Sequence, residues 1–200
     1  MLKNDPKALR VWELAALLAL SVSLCVGTWA QGRQSSISSS LVRLHVVAAS
    51  DTAREQALKL RVRDAVIEYL TPALSNASSA EDARALITED LEGIEQAAAR
   101  AAEGRTVTVT LSREPYPTRR YEGFALPAGR YDSLRIILGE GRGRNWWCIV
   151  FPPVCLSAVQ GEAVEEAMAP ADYELITEGD YKLRFRLLEL WGELTAGLEQ

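Results

Sequence analysis

Covalent chemistry in this chain could come from Cys148 and Cys155, which are six residues apart with Pro152 and Pro153 between them. Thiols so placed hold metals, act as nucleophiles or join to one another. A C-x6-C spacing with a single histidine in the chain is not a zinc pattern. A nucleophilic Cys148–His45–Asp51 site can be drawn, but Cys148 lies between Trp147 and Ile149, the flanks of a buried, inert thiol. A disulfide is the favoured reading. The prolines let the chain turn back, and closing a loop of eight residues stabilises by about 2.5 kcal/mol on the chain-entropy estimate. Two buried free thiols, packed as small apolar residues, are the alternative.

Other enzyme signatures are missing: there is no G-x-S-x-G, H-E-x-x-H, P-loop or dinucleotide fingerprint. Gly139, Gly141 and Gly143 follow a strand-like run with no helix pattern behind them, so they do not build a phosphate cradle. The 27 acidic residues show no spacing that singles out an acid–base pair. The residues therefore offer no catalytic constellation, and no cofactor, metal or small-molecule substrate is expected.

The cysteines belong to the run GEGRGRNWWCIVFPPVCL, Gly139 to Leu156, around which the chain is organised. Trp146 to Phe151 reads as an apolar strand that stops at the prolines. Alternation sends Trp146 and Trp147 to opposite faces. One enters the core; the other needs cover from this chain or from a partner.

The elements that must position this run begin with an apolar segment. Leu14 to Ala30 carries no charge and follows Lys3, Lys7 and Arg10. As a helix it is about 25 Å long, near the lower limit for crossing a bilayer. Thr28 and Ala30 are the small residues of a possible cleavage site, and Leu24 is too large for a lipoprotein site at Cys25. Residues 1–30 thus read as a signal peptide or membrane anchor, residues 31–40 as a polar linker and residues 41–200 as one exported domain. Lys3, Lys7 and Arg10 against Asp5 and Glu13 leave the first thirty residues at +1, so the rest of this −5 chain carries −6. An acidic body argues against nucleic-acid binding.

Leu41 to Ala48 reads as a strand with Leu44 and Val46 on one face and Arg43, His45 and Val47 on the other. Thr52-x-x-Glu55 is a capping box for a helix to about Leu70, closed by Pro72, whose apolar stripe is Leu58, Val62, Ala65, Val66 and Tyr69. Its charges, Lys59, Arg63 and Asp64 among them, read mainly as a solvated face. Ser78 and Ser79 start a second helix that runs to Glu103 and stops at Gly104. Thr106 to Ser112 is a half-exposed strand. Arg119–Leu126 and Arg130–Leu138 read as a hairpin turning at Pro127-Ala128-Gly129. Leu156 to Glu178 is acidic and irregular, Tyr181–Leu187 a strand and Leu188–Leu198 a short helix. The pattern is α+β: a mostly antiparallel sheet with two helices packed on one face and a short C-terminal helix, preceded by the N-terminal signal or anchor helix.

Two runs resemble a known family. VRLHVVAASDTAREQALKLRVRDAV, Val42 to Val66, is similar to the opening of the stage II sporulation protein R family, with Ala49 where asparagine is usual. Tyr116 to Leu156 carries its LPAGxY turn and its NWWC…FPPxC signature. The resemblance implies a protein exported across the forespore membrane into the space between two membranes. There it would activate, without catalysis of its own, a membrane-embedded aspartic protease that cleaves the sigma-E precursor. The candidate partner-binding residues are Asp51, Arg63, Asp64, Arg144, Asn145, Trp146, Trp147, Pro152 and Pro153. Two other readings stay open. One is an exported cell-envelope enzyme working through Cys148 or a carboxylate. The other is a carbohydrate- or peptidoglycan-binding module that stacks sugars on the tryptophans with Tyr116, Tyr121 and Tyr131.

Overall fold

The computed structural model describes residues 6–121, 123–153 and 160–177. In chain order the elements are α1 (Pro6–Ser39), β1 (Val42–Val47), α2 (Ala53–Leu74), α3 (Ala80–Glu89), α4 (Leu91–Ala101), β2 (Val107–Tyr116), β3 (Arg119–Arg120), β4 (Ala125–Leu126), β5 (Gly129–Leu138), β6 (Asn145–Phe151), α5 (Gln160–Ala167) and α6 (Pro170–Ile176). Strand order in the main sheet is β2-β5-β1-β6, and β3 and β4 form a separate short ladder. The sheet is mostly antiparallel, with β1 and β5 as its parallel pair.

β1 is the centre of the sheet, paired on both edges and buried at all six positions. Alternation divides its side chains between two layers. Leu44 and Val46 join Val62, Val66, Leu70, Ile87, Ile94, Leu134 and Ile136 in the core beneath α2, α3 and α4. Arg43 and His45 face the other way. That second face is also covered, by Ile37 and Leu41 from the end of α1, by Tyr116, Phe124 and Leu126, and by Val164, Met168 and Ile176 from α5 and α6.

The helix starts follow the capping signals. Thr52 accepts the Glu55 N–H at 3.3 Å and Ser79 accepts the Asp82 N–H at 3.1 Å. Glu55 does not close the box; it turns to Arg105, 2.5 Å away. α2 continues past Pro72 to Leu74, because Leu70 and Leu74 are both buried in the core and the helix then ends at Ser75. Tyr69 is exposed rather than part of the stripe; Ile67 and Leu70 take its place. The single helix expected over 78–103 is two. Asp90 leaves helical geometry (φ −118°, ψ 32°), binds the Tyr69 hydroxyl at 2.7 Å and caps α4 through its carbonyl to Ile94 N–H.

Three more expectations change. The partner of 130–138 is β2 rather than 119–126, with Tyr116 opposite Gly129 and Val107 opposite Leu138; residues 119–126 form the small β3–β4 ladder over the second face. The polar stretch 31–39 is not an irregular linker but continues α1. Ser38, Ser39 and Ser40 donate to carbonyls three or four residues earlier, and Ile37 and Ser38 are buried. Part of the acidic stretch 156–178 is helical, as α5 and α6. The strand and helix expected over 181–198 lie outside the described residues.

Leu134 is fully buried between Leu44 of β1 and Leu111 of β2. Leu134→Ala is expected to lower the unfolding free energy by about 2–5 kcal/mol, read from the midpoint of urea unfolding.

Candidate functional site

β1 ends and β6 begins at the same end of the sheet, with Val47 opposite Asn145 and Val46 opposite Trp146. The turn after β1 and the loop before β6 are tied together there. The Asp51 carboxylate accepts the Arg144 backbone N–H at 2.7 Å and faces its guanidinium at 3.5 Å. Gly143 N–H donates to the Ala48 carbonyl, and a side chain at Gly143 would run into the Ser50 carbonyl. Gln56 donates to Ser50 O at 2.9 Å.

Beneath this turn sits Lys59, 4% exposed, donating from Nζ to Gln56 Oε1 (2.7 Å) and to the Arg144 carbonyl (2.9 Å). Burial first, then the charges of Arg144 and Arg63, push its pKa below the usual lysine value, against the pull of Asp51. Sequence reading placed Lys59 on the solvated face. The available signal was the Gln56, Lys59, Arg63 spacing, which puts all three on one side of α2.

Beside this knot, Trp146 lies on the helix side of the sheet, 36% exposed, with the Arg63 guanidinium 4.4 Å over its ring. Asp64 holds that guanidinium at 2.6 Å. A cation over an indole at an exposed site is worth about 0.5–1 kcal/mol. Tryptophan and arginine are also the residues most often dominant in protein–protein recognition. Asp51, Arg63, Asp64, Arg144, Asn145 and Trp146 therefore share one end of the fold.

The remaining candidates sit elsewhere. Trp147 points to the second face, as alternation requires, and stacks on His45 at 3.8 Å. Pro152 is buried and Pro153 exposed just past the far end of β6, roughly 20 Å along the strand at about 3.3 Å per residue. Cys148 is disulfide-bonded, and it lies on the Leu44 side of the sheet, away from His45. The thiol site with His45 and Asp51 is therefore not assembled. Cys155 lies outside the described residues.

The second face holds a cluster that sequence reading missed. Arg43 is fully buried, with its guanidinium 4.0 Å from the Tyr116 ring centre and 4.9 Å from that of Tyr131, and it donates to the Tyr121 hydroxyl at 2.7 Å. The Tyr116 hydroxyl meets Ser133 at 2.6 Å and that of Tyr131 donates to Pro127 O at 2.7 Å. Burial raises the pKa of both tyrosines. Next to them Glu114 bridges His45 Nδ1 and Arg135, each at 3.1 Å. Tyr116 and Tyr131 thus pack inward, Trp147 is half-buried and Trp146 faces the other side of the sheet, so these rings do not form one exposed platform.

The stage II sporulation protein R family model matches residues 38–161, from the end of α1 to the start of α5. A curated relative, stage II sporulation protein R of Bacillus subtilis (strain 168), is 38% identical over 130 residues, 62% of this chain and 58% of that protein. The chain thus spans less than two thirds of the relative's length. No solved structure matches.

Glu114 supplies a pH test. Burial would raise its pKa, but hydrogen bonds from His45 and Ser133 and the charges of His45 and Arg135 outweigh it and hold the carboxyl below its ordinary value. Its stabilising share is therefore complete above the unfolded value of about 4.3 and is lost as pH falls through the lower folded value. Glu114→Gln is expected to be less stable than the parent near neutrality. The gap should close as the medium is made acidic, measured as urea midpoints across a pH series.

Proposed function

Because the chain belongs to the stage II sporulation protein R family, we propose that it is an exported signalling protein of sporulation that activates a membrane-embedded protease processing the sigma-E precursor. The names of the family and of the relative supply sporulation; the protease and its substrate are our reading. What supports a binding role most is the convergence of Asp51, Arg63, Asp64, Arg144 and Trp146 on one exposed end, where bonds to Lys59, Asp51 and Ala48 hold the backbone of Gly143 and Arg144. A preorganised aromatic and guanidinium surface binds with little ordering cost. On this reading the protein is a ligand without a catalytic step, and residues 41–200 act outside the cytoplasm, in the space between the two membranes. The apolar half of α1 fits a signal or anchor by length and composition.

Trp146→Ala and Asp64→Ala test the contact. The Arg63–Asp64 pair is partly exposed and worth about 0.2–1 kcal/mol, so melting should hardly change in Asp64→Ala. Precursor cleavage in sporulating cells should be lost in both variants. Cleavage at the parental rate with parental melting would remove this end from the contact.

We also propose that Cys148 pairs with Cys155. Reduction, or Cys148→Ser, is then expected to lower stability by about 2.5 kcal/mol. Alkylation of the unfolded, unreduced protein should leave both positions unlabelled; labelling of both would exclude the bridge.

A further inference from the structure

The 34-residue α1 leaves its apolar residues from Val11 to Leu24 exposed, yet its last third is part of the domain. Gly27, Ala30, Ile37 and Ser38 are buried along one side, with Arg33 and Gln34 half-buried on the same side. This is the i, i+3, i+4, i+7 stripe of a docked helix.

Three contacts mark the docking as built into the fold. Asp172 of α6 is fully buried and accepts from Arg33 Nη1 at 3.0 Å and Ser36 Oγ at 2.5 Å. Burying a carboxylate without such partners is costly. Gln34 Nε2 donates to the Ala128 carbonyl at 3.2 Å. Beside it, Gly129 has no left-handed backbone that would call for glycine; a Cβ there would meet the tip of the Gln34 side chain, which would have to swing away from the Ala128 carbonyl. Glycine at this position lets the Gln34 amide reach the Ala128 carbonyl.

The direction of α1 follows from topology. Ser40 and Leu41 are all that separate it from β1, and Gln34 lies against the residue before β5. α1 therefore leaves the domain at the end where β1 and β5 begin. The Trp146–Arg63 surface is at the opposite end, where β1 finishes, and the length of β1 separates them by about 17 Å at 3.3 Å per residue.

We propose that α1 stays whole and docked as a rigid mast, so that the membrane carrying its apolar half holds the domain with the Trp146–Arg63 surface aimed away from that membrane. The same docking buries Ala30, 1% exposed, which is the residue before the cleavage position that the sequence offers. The partner at the far surface rests on the function proposed above; the docking does not.

Three measurements test the mast in full-length protein made in sporulating cells. Intact mass of the membrane-extracted chain should include Leu14–Ala30; a chain beginning at Gln31 overturns the proposal. With Cys25→Ser to remove the exposed thiol, the pair Gln34→Cys and Ala128→Cys should cross-link under mild oxidation in membranes. Absence of the cross-link in protein that melts like its parent overturns the docking. Last, a flexible Gly-Ser segment between Gln31 and Gly32 leaves the contacts from Arg33 onward in place. It should preserve the cross-link and abolish precursor cleavage; undiminished cleavage overturns the aiming role. Mass and cross-link are read without the partner, so they decide the docking even if the proposed activation fails, and that activation is judged separately by Asp64→Ala.

Discussion

A guanidinium at the middle of the sheet constrains everything on the second face. Arg43 places a guanidinium, fully buried, on the central strand. Its Nε and Nη1 have no hydrogen-bond partner among the described residues, so the compensation comes from the Tyr116 and Tyr131 rings and from the Tyr121 hydroxyl. Each of these is fixed in turn: Tyr116 by Ser133, Tyr131 by Pro127, and Tyr121 by stacking on Phe124 at 4.9 Å. The β2–β5 register and the 117–128 segment are thereby committed to one arrangement. An alternative pairing would leave a buried cation without its aromatic faces, a larger penalty than losing ordinary apolar contacts.

The two layers divide the work. The helix side is apolar and supplies most of the core, while the second side is aromatic and charged and sets which segments may cover it. β1 is common to both and ends at the Ala48–Thr52 turn. The Trp146–Arg63 end thus inherits its rigidity from a strand buried at every position, through the Gly143 bond to Ala48 and the Asp51 bond to Arg144. Trp146 and Trp147, neighbours in sequence, report on different layers: one lies under Arg63 at the surface and the other is pressed on His45 inside.

Local signals were legible in the sequence. The caps at Thr52 and Ser79, the Trp146–Trp147 alternation, the end of β6 before Pro152 and the apolar half of α1 each depend on neighbours a few residues away. The partners of strands were not legible. Arg130–Leu138 has a turn before it and suits 119–126 as a hairpin mate, but the longer 107–116 strand buries Val109 and Leu111 against it, and tertiary packing decides. Composition misled at 31–39 and over 160–176, where serines and acids suggested irregular chain. A helix with few apolar residues is stable when those few, Ile37, Val164, Met168 and Ile176, fall on the buried side. Lys59 was misread for the same reason: its carbonyl partner is 85 positions away.

Gly129 carries a consequence for anyone who rebuilds the molecule. Glycines in turn motifs are ordinarily ascribed to the turn, yet this one is shaped by a glutamine from the N-terminal helix. The N-terminal helix is therefore not interchangeable with another apolar helix. A chimera that takes its first forty residues from an unrelated protein would lose the Gln34 bond to Ala128 and leave Asp172 buried without Arg33 and Ser36. Grafts that keep the stretch from Gly27 onward preserve both, and that boundary, rather than the end of the apolar run, is where the domain begins.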